Sequence, residues 1–142
     1  MTKNSIDTYS IQIINQPTEL NIIVRCVEIL AERWGWSKTM INNVNVSLEE
    51  VIANIIFYGY KDDKEHLIAI QFHREGNKFS FQVEDDGIVF NPLESGLEVD
   101  LEASVEEREV GGLGIYLVKT MMDDVIYQRI GNRNRITLII SA

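Results

Sequence analysis

Apolar residues recur along this chain with a period that changes from one segment to the next. Tyr9, Ile11 and Ile13 alternate with Ser10, Gln12 and Ile14, the period of two expected of a strand with one better-buried face. Pro17 and Thr18 stop it, and Thr18 stands as an N-cap for a helix. On that helix Leu20, Ile23, Val24, Val27, Leu30, Ala31 and Trp34 repeat at helical spacing until Gly35. Ser37 can cap a second helix, predicted over Lys38–Tyr58 and ended by Gly59, with Ile41, Val44, Leu48, Val51, Ile52 and Ile55 on one face. Period two returns over 66–73 and 78–84, joined by a hairpin with Gly76 at its turn. Ile115, Leu117, Val118, Met121 and Met122 predict a third helix, and 125–130 and 135–141 two closing strands around a turn at 131–134. This order predicts a single α/β domain over 1–142, a two-layer sandwich whose mixed, mostly antiparallel sheet carries the helices on one face.

The second helix has a further face. Asn43, Ser47, Glu50 and Asn54 fall three or four apart, so the Glu50 carboxylate and the Asn54 amide lie one above the other and can converge on one ligand. A carboxylate able to take a proton and a neutral oxygen able to hold a cation, set over a buried stripe, place chemistry on a rigid support. The competing reading is a hydrated helix face, since Glu and Asn are ordinary surface residues.

Composition narrows the classes. A chain of 142 residues can bury a core without staples, and Cys26, the single cysteine, has no internal partner. Cys26 lies off the apolar stripe of its helix and reads as a small, partly buried filler. With no apolar signal core at the N-terminus and no run of 18 apolar residues, a cytoplasmic protein is expected. The formal charge of −9 opposes attraction to nucleic acid or to an anionic membrane. A phosphate ligand is still allowed, because backbone N–H groups and a bound cation hold phosphate without net basic charge. His66 and His73, on two-period segments with no companion ligand, read as surface or edge residues.

Three more stretches carry candidate chemistry. Asp85, Asp86 and Gly87 end a strand, setting a carboxylate at a sheet edge with a glycine to relieve contact with a ligand. Over 93–110 there are seven acids against one base, Arg108, and a weak apolar pattern, which reads as a lid. Arg108 either pairs with a neighbouring Glu or reaches a phosphate. Gly111, Gly112, Leu113 and Gly114 then open the third helix, where free N–H groups meet the positive end of the helix dipole.

In this order the motifs resemble the GHKL ATPases, which share the Bergerat ATP-binding fold, and most of all the short bacterial anti-sigma factor serine/threonine kinases. Glu50 to Asn54 look like the N box, with Gly59 and Tyr60 closing its helix; Asp85, Asp86 and Gly87 look like the first glycine box, and Gly112, Leu113 and Gly114 the second. Thr137 sits on the last strand, where the family places a threonine of the adenine pocket. Val89 departs from a second glycine of the first box, and Tyr58 from a histidine found in many relatives. The resemblance implies ATP and Mg²⁺ as cofactors, with Asp85 and Thr137 reading adenine, Gly87 beside them, and Gly112 and Gly114 holding phosphates. Asn54 would hold the metal and Glu50 would be the general base. It implies a protein serine/threonine kinase that restrains a sigma factor and phosphorylates a STAS-type anti-anti-sigma protein, with a homodimer allowed. Two other functions fit the same motifs: a nucleotide-gated binding module without transfer, and a detached histidine-kinase-like ATP-binding domain.

Overall fold

The computed structural model describes residues 6–94 and 112–142. Within them lie β1 (Ile6–Ile14), α1 (Leu20–Trp34), α2 (Lys38–Tyr58), β2 (Leu67–Glu75), β3 (Lys78–Asp85), α3 (Gly112–Met121), β4 (Asp124–Ile130) and β5 (Arg133–Ser141). Every predicted element is present. Ser37 caps α2 as expected, its Oγ accepting from the Met40 N–H at 3.1 Å. Thr18 does not cap α1: Pro17–Glu19 form a 3₁₀ turn that runs into the helix, and Glu19 takes the position before Leu20.

The sheet order is β1-β2-β3-β5-β4, and every pairing among the described residues is antiparallel. The expected antiparallel majority is borne out, and no parallel pair occurs among the described residues. A helical crossover ordinarily delivers a parallel neighbour. Here β3 and β4 do run parallel, but β5 turns back between them and pairs with both.

Alternation along the strands separates the two sides of the sheet. Ile13, Ile68, Ile70, Phe72, Phe79, Phe81, Val83, Ile136 and Leu138 are buried against α1 and α2. Thr8, Ser10, Gln12 and Gln71, from the alternate positions, lie exposed on the other face. α2 supplies Val44, Leu48, Val51, Ile52 and Ile55, all without solvent contact. Each such side chain contributes on the order of 1.5–3 kcal/mol, so this helix is firmly anchored in the core. Cys26 is half-buried against the same core, as its position off the stripe implied.

α3 packs on α2 rather than on the sheet alone. On the second face of α2, Ser47 and Asn54 are buried, at 0% and 3% exposure, and Glu50 meets α3 at Gly114. Half of the polar row is therefore out of water, while Asn43 and Glu50 stay partly exposed.

Candidate functional site

Asn54 and Glu50 form a closed pair one helical turn apart. The Asn54 Nδ2 donates to the Glu50 backbone oxygen at 2.7 Å and to its Oε2 at 2.8 Å. The opposite amide orientation would press an oxygen against two acceptors, so the nitrogen must face Glu50. Asn54 Oδ1 consequently points away, buried and without a donor among the described residues. Leaving a buried carbonyl oxygen unpaired costs about 1–3 kcal/mol. A neutral oxygen held in this way is suited to a hard divalent cation, so the residues present fit Mg²⁺.

Gly114 lies against the other side of Glu50. A Cβ added there would meet Glu50 Cδ at 2.0 Å and Oε1 at 2.1 Å, so only glycine lets α3 approach the carboxylate this closely. Gly112 and Gly114 belong to the first turn of α3, so the glycines open the helix as read from the sequence. Their N–H groups are still donors without an intrahelical partner, because the first turn of any helix leaves its amides free. The 93–110 stretch lies outside the described residues beyond Glu94, and Arg108 with it.

The strand-end motif closes the other end of α2. A Cβ on Gly87 would fall 2.2 Å from the Gly59 oxygen, and the next residue, Ile88, donates its N–H to that oxygen at 2.9 Å. The loop after β3 is thereby docked on the C-terminus of α2. Asp85 is 1% exposed and faces the helices. Its Oδ1 accepts from the Gly87 N–H at 2.8 Å and from Asn134 Nδ2 at 2.9 Å. Burial pushes its carboxyl above the usual carboxylate range, and those two donors hold it back, aided by the nearby Arg129 cation.

Thr137 does not join Asp85. On β5 the buried positions are Asn134, Ile136, Leu138 and Ile140, so Thr137 lies on the alternate, open face of the sheet, opposite Gln82 and Ile126. A period of two allows no other outcome once Ile136 and Leu138 are in the core. The residue across from Asp85 is Asn134. Sequence reasoning missed it because Asn-Arg-Asn-Arg reads as a turn, whereas β5 begins at Arg133. The available signal was the alternation of Asn134 with Ile136, Leu138 and Ile140.

Tyr60 and His66 brace the floor of this end. Their rings stack at 4.3 Å with 18° between planes. His66 is no bare edge histidine, since Nε2 meets Asp62 Oδ1 at 2.7 Å and Nδ1 meets Asp86 Oδ1 at 3.1 Å. The Asp62 hydrogen bond, first among several causes, raises its pKa. Burial, with Asp85 and Asp86 nearby, raises that of the Tyr60 hydroxyl. His73, farther up β2, meets Thr8 Oγ1 at 2.8 Å. Val89 is 69% exposed.

A helix that carries Glu50 and Asn54, an aspartate at its far end and a glycine-opened helix against its carboxylate define the layout of a nucleotide-dependent ATPase domain. Comparison with known families gives the same class: residues 13–140 match the histidine kinase-like ATPase domain, and the chain belongs to that family. Among individual relatives it is similar to the serine-protein kinase RsbW of Bacillus subtilis (strain 168), 27% identical over 139 residues, 96% of this chain and 85% of the relative. The serine-protein kinase RsbW of Listeria innocua is 25% identical over 122 residues, 84% of this chain and 78% of the relative. That of Bacillus cereus (strain AH820) is 34% identical over 99 residues, 68% of this chain and 61% of the relative. None of the helices among the described residues is long and apolar enough to cross a membrane.

Proposed function

We propose that this chain is an ATP-dependent protein serine kinase of the anti-sigma type, which binds a sigma factor and transfers the γ phosphate of ATP to a serine of a STAS-type anti-anti-sigma protein. The observation that carries it is the Glu50–Asn54 pair: a carboxylate oriented by its neighbour's amide nitrogen, beside a buried carbonyl oxygen with no partner of its own. The relatives named serine-protein kinase support the same activity.

The roles follow from position along α2. Asp85 stands beside the C-terminal end of the helix, at Gly59, and Glu50 lies nine residues earlier, roughly 13 Å back at 1.5 Å per residue. A nucleoside triphosphate spans such a separation, with its base at Asp85 and its terminal phosphate toward Glu50. Asp85 Oδ1 is occupied by two donors, so Oδ2 is the acceptor for the exocyclic amino group of adenine. Gly112 and Gly114 offer first-turn amides to phosphate oxygens. Asn54 Oδ1 would hold Mg²⁺, which when bound neutralises phosphate charge. Glu50 takes the proton from the attacking serine hydroxyl, a step that needs a correctly placed base more than covalent chemistry.

The direct test is single-turnover transfer from labelled ATP to a partner captured from the source cell, followed by acid treatment of the product. Phosphoserine survives acid and phosphohistidine does not. An acid-labile product would replace the serine kinase with a histidine phosphotransfer domain, and binding without any transfer would leave a nucleotide-gated module.

Metal dependence offers a second check. Asn54→Ala is expected to lose the Mg²⁺-dependent part of nucleotide affinity, while Asn43→Ala, about three turns earlier on α2, keeps it. Equal losses in the two variants, measured by titration with and without Mg²⁺, would remove Asn54 from the metal site.

Acidification should weaken binding. The ionised Asp85 accepts the amino hydrogen, and its carboxyl takes up a proton at a higher pH than an ordinary carboxylate. ATP affinity is therefore expected to fall as pH drops through that raised value. Asp85→Asn should abolish this pH step and lose on the order of 1–3 kcal/mol of binding at neutral pH. The linkage to stability has the opposite sense. An acid with a raised folded pKa favours folding most below its unfolded value and loses that contribution as pH rises through the folded one. Asp85→Asn is accordingly expected to be no less stable than wild type at pH 7. A thermal melt well below wild type would show that the carboxylate is structural.

A further inference from the structure

Asn134 is fully buried, and the hydrogen bonds of its amide fix both ends. Its Nδ2 donates to Asp85 Oδ1 at 2.9 Å and to the Ile88 backbone oxygen at 2.7 Å. Its Oδ1 accepts from the Tyr127 hydroxyl at 2.6 Å, from Arg129 Nη1 at 3.2 Å and, at 3.4 Å, from the Phe90 N–H. Reversing the amide would set its oxygen against two acceptors and its nitrogen against three donors, so one orientation is enforced. Arg129 also donates from Nη1 to the Gly87 oxygen at 3.1 Å. The same cation therefore ties the loop that supplies the second donor to Asp85.

The side chains of this network are brought together by strand register. Asn134 pairs with Asp85 across β3 and β5, and with Arg129 across β4 and β5, while Tyr127 lies two residues from Arg129 on the same face. Its outcome is a carboxylate with one oxygen saturated and the other, Oδ2, without a donor among the described residues. A carboxylate left to rotate would offer either oxygen, and no fixed direction, to a ligand.

From this arrangement we infer that Asn134 is a positioning residue for base recognition: with Tyr127 and Arg129 behind it, it holds Asp85 so that a single oxygen meets the exocyclic amino group of an adenine nucleotide. The inference rests on the reading of Asp85 as the adenine acceptor. It adds that selectivity for the amino group depends on a residue that makes no contact with the nucleotide. Oriented acceptors discriminate between ligands that have and lack a donor, because a mismatched ligand leaves the buried acceptor unpaired.

The test uses the full chain with Mg²⁺ and two ligands, ATP and purine riboside triphosphate, which has the same sugar and phosphates but no amino group. Wild type is expected to prefer ATP by about 10- to 100-fold, the range for a hydrogen bond to a charged group. In Asn134→Ala the preference should shrink to about threefold or less, mainly through lost ATP affinity. Tyr127→Phe removes one hydroxyl at the rim and keeps the ring, and should narrow the preference by a few fold. If Asn134→Ala does not fold, Tyr127→Phe decides: an unchanged preference overturns the inference. So does an equal loss of both ligands in Asn134→Ala, which would make Asn134 a packing residue. Wild type that binds both ligands equally removes Asp85 as the reader of the amino group. Wild type that binds neither overturns the ATP site itself and the inference with it.

Discussion

Glu50→Gln protein is expected to bind Mg-ATP as tightly as wild type and to transfer phosphate about 10²- to 10⁴-fold more slowly, the usual contribution of a positioned base. The substitution keeps the side chain's length and its place against Gly114 while removing the basicity. Asn54 can still donate to the remaining oxygen, so the pair that orients the side chain survives. A loss confined to the chemical step identifies an interaction made in the transition state. Glu49, about 100° around the helix, serves as the matched control. Single-turnover transfer and calorimetric binding, run in parallel, decide between the possibilities. Unaltered transfer by Glu50→Gln would place the base elsewhere.

Gly114→Ala should separate catalysis from stability just as sharply. The new methyl would overlap the Glu50 carboxylate, 2.0 Å from Cδ, and the flexible end of that side chain would swing away rather than the helices part. Displacing the carboxylate breaks its bond from Asn54 and moves the base off its line, so transfer is expected to fall on the order of 10²-fold. The fold should not suffer. Alanine is a better helix former than glycine, which offsets part of the local rearrangement. The expected signature is a melting temperature within a few degrees of wild type together with a large loss of transfer. A variant that melts far lower and transfers normally at reduced temperature would mean that α3 was displaced and the carboxylate left in place.

The elements themselves were legible because each depends on local periodicity. Lys38–Tyr58 could be read as a helix from its apolar spacing and from Ser37, and both the span and the cap are as read. The two hairpins were equally plain, since alternation of Phe79, Phe81 and Val83 or of Ile136 and Leu138 is a property of the strand alone. Less visible was the side of a helix that a neighbour would cover. Nothing near Ser47 or Asn54 in the chain states that both will be buried, or that α3, more than fifty residues later, packs on their helix.

By its own pattern, then, the sequence determined the order of strands and helices, the buried stripe of α2, and the positions of Glu50 and Asn54 one turn apart on it. These are consequences of backbone geometry acting over a few residues. Tertiary structure alone decided which residue stands across from Asp85. The placement of β5 between β3 and β4, with its first residues in the strand and not in the turn, brings Asn134 to Asp85 and carries Thr137 to the open face. A shift of one residue in that register would exchange the two faces, and what holds it is the burial of Ile136 and Leu138 against the helices, an interaction between segments distant in the chain.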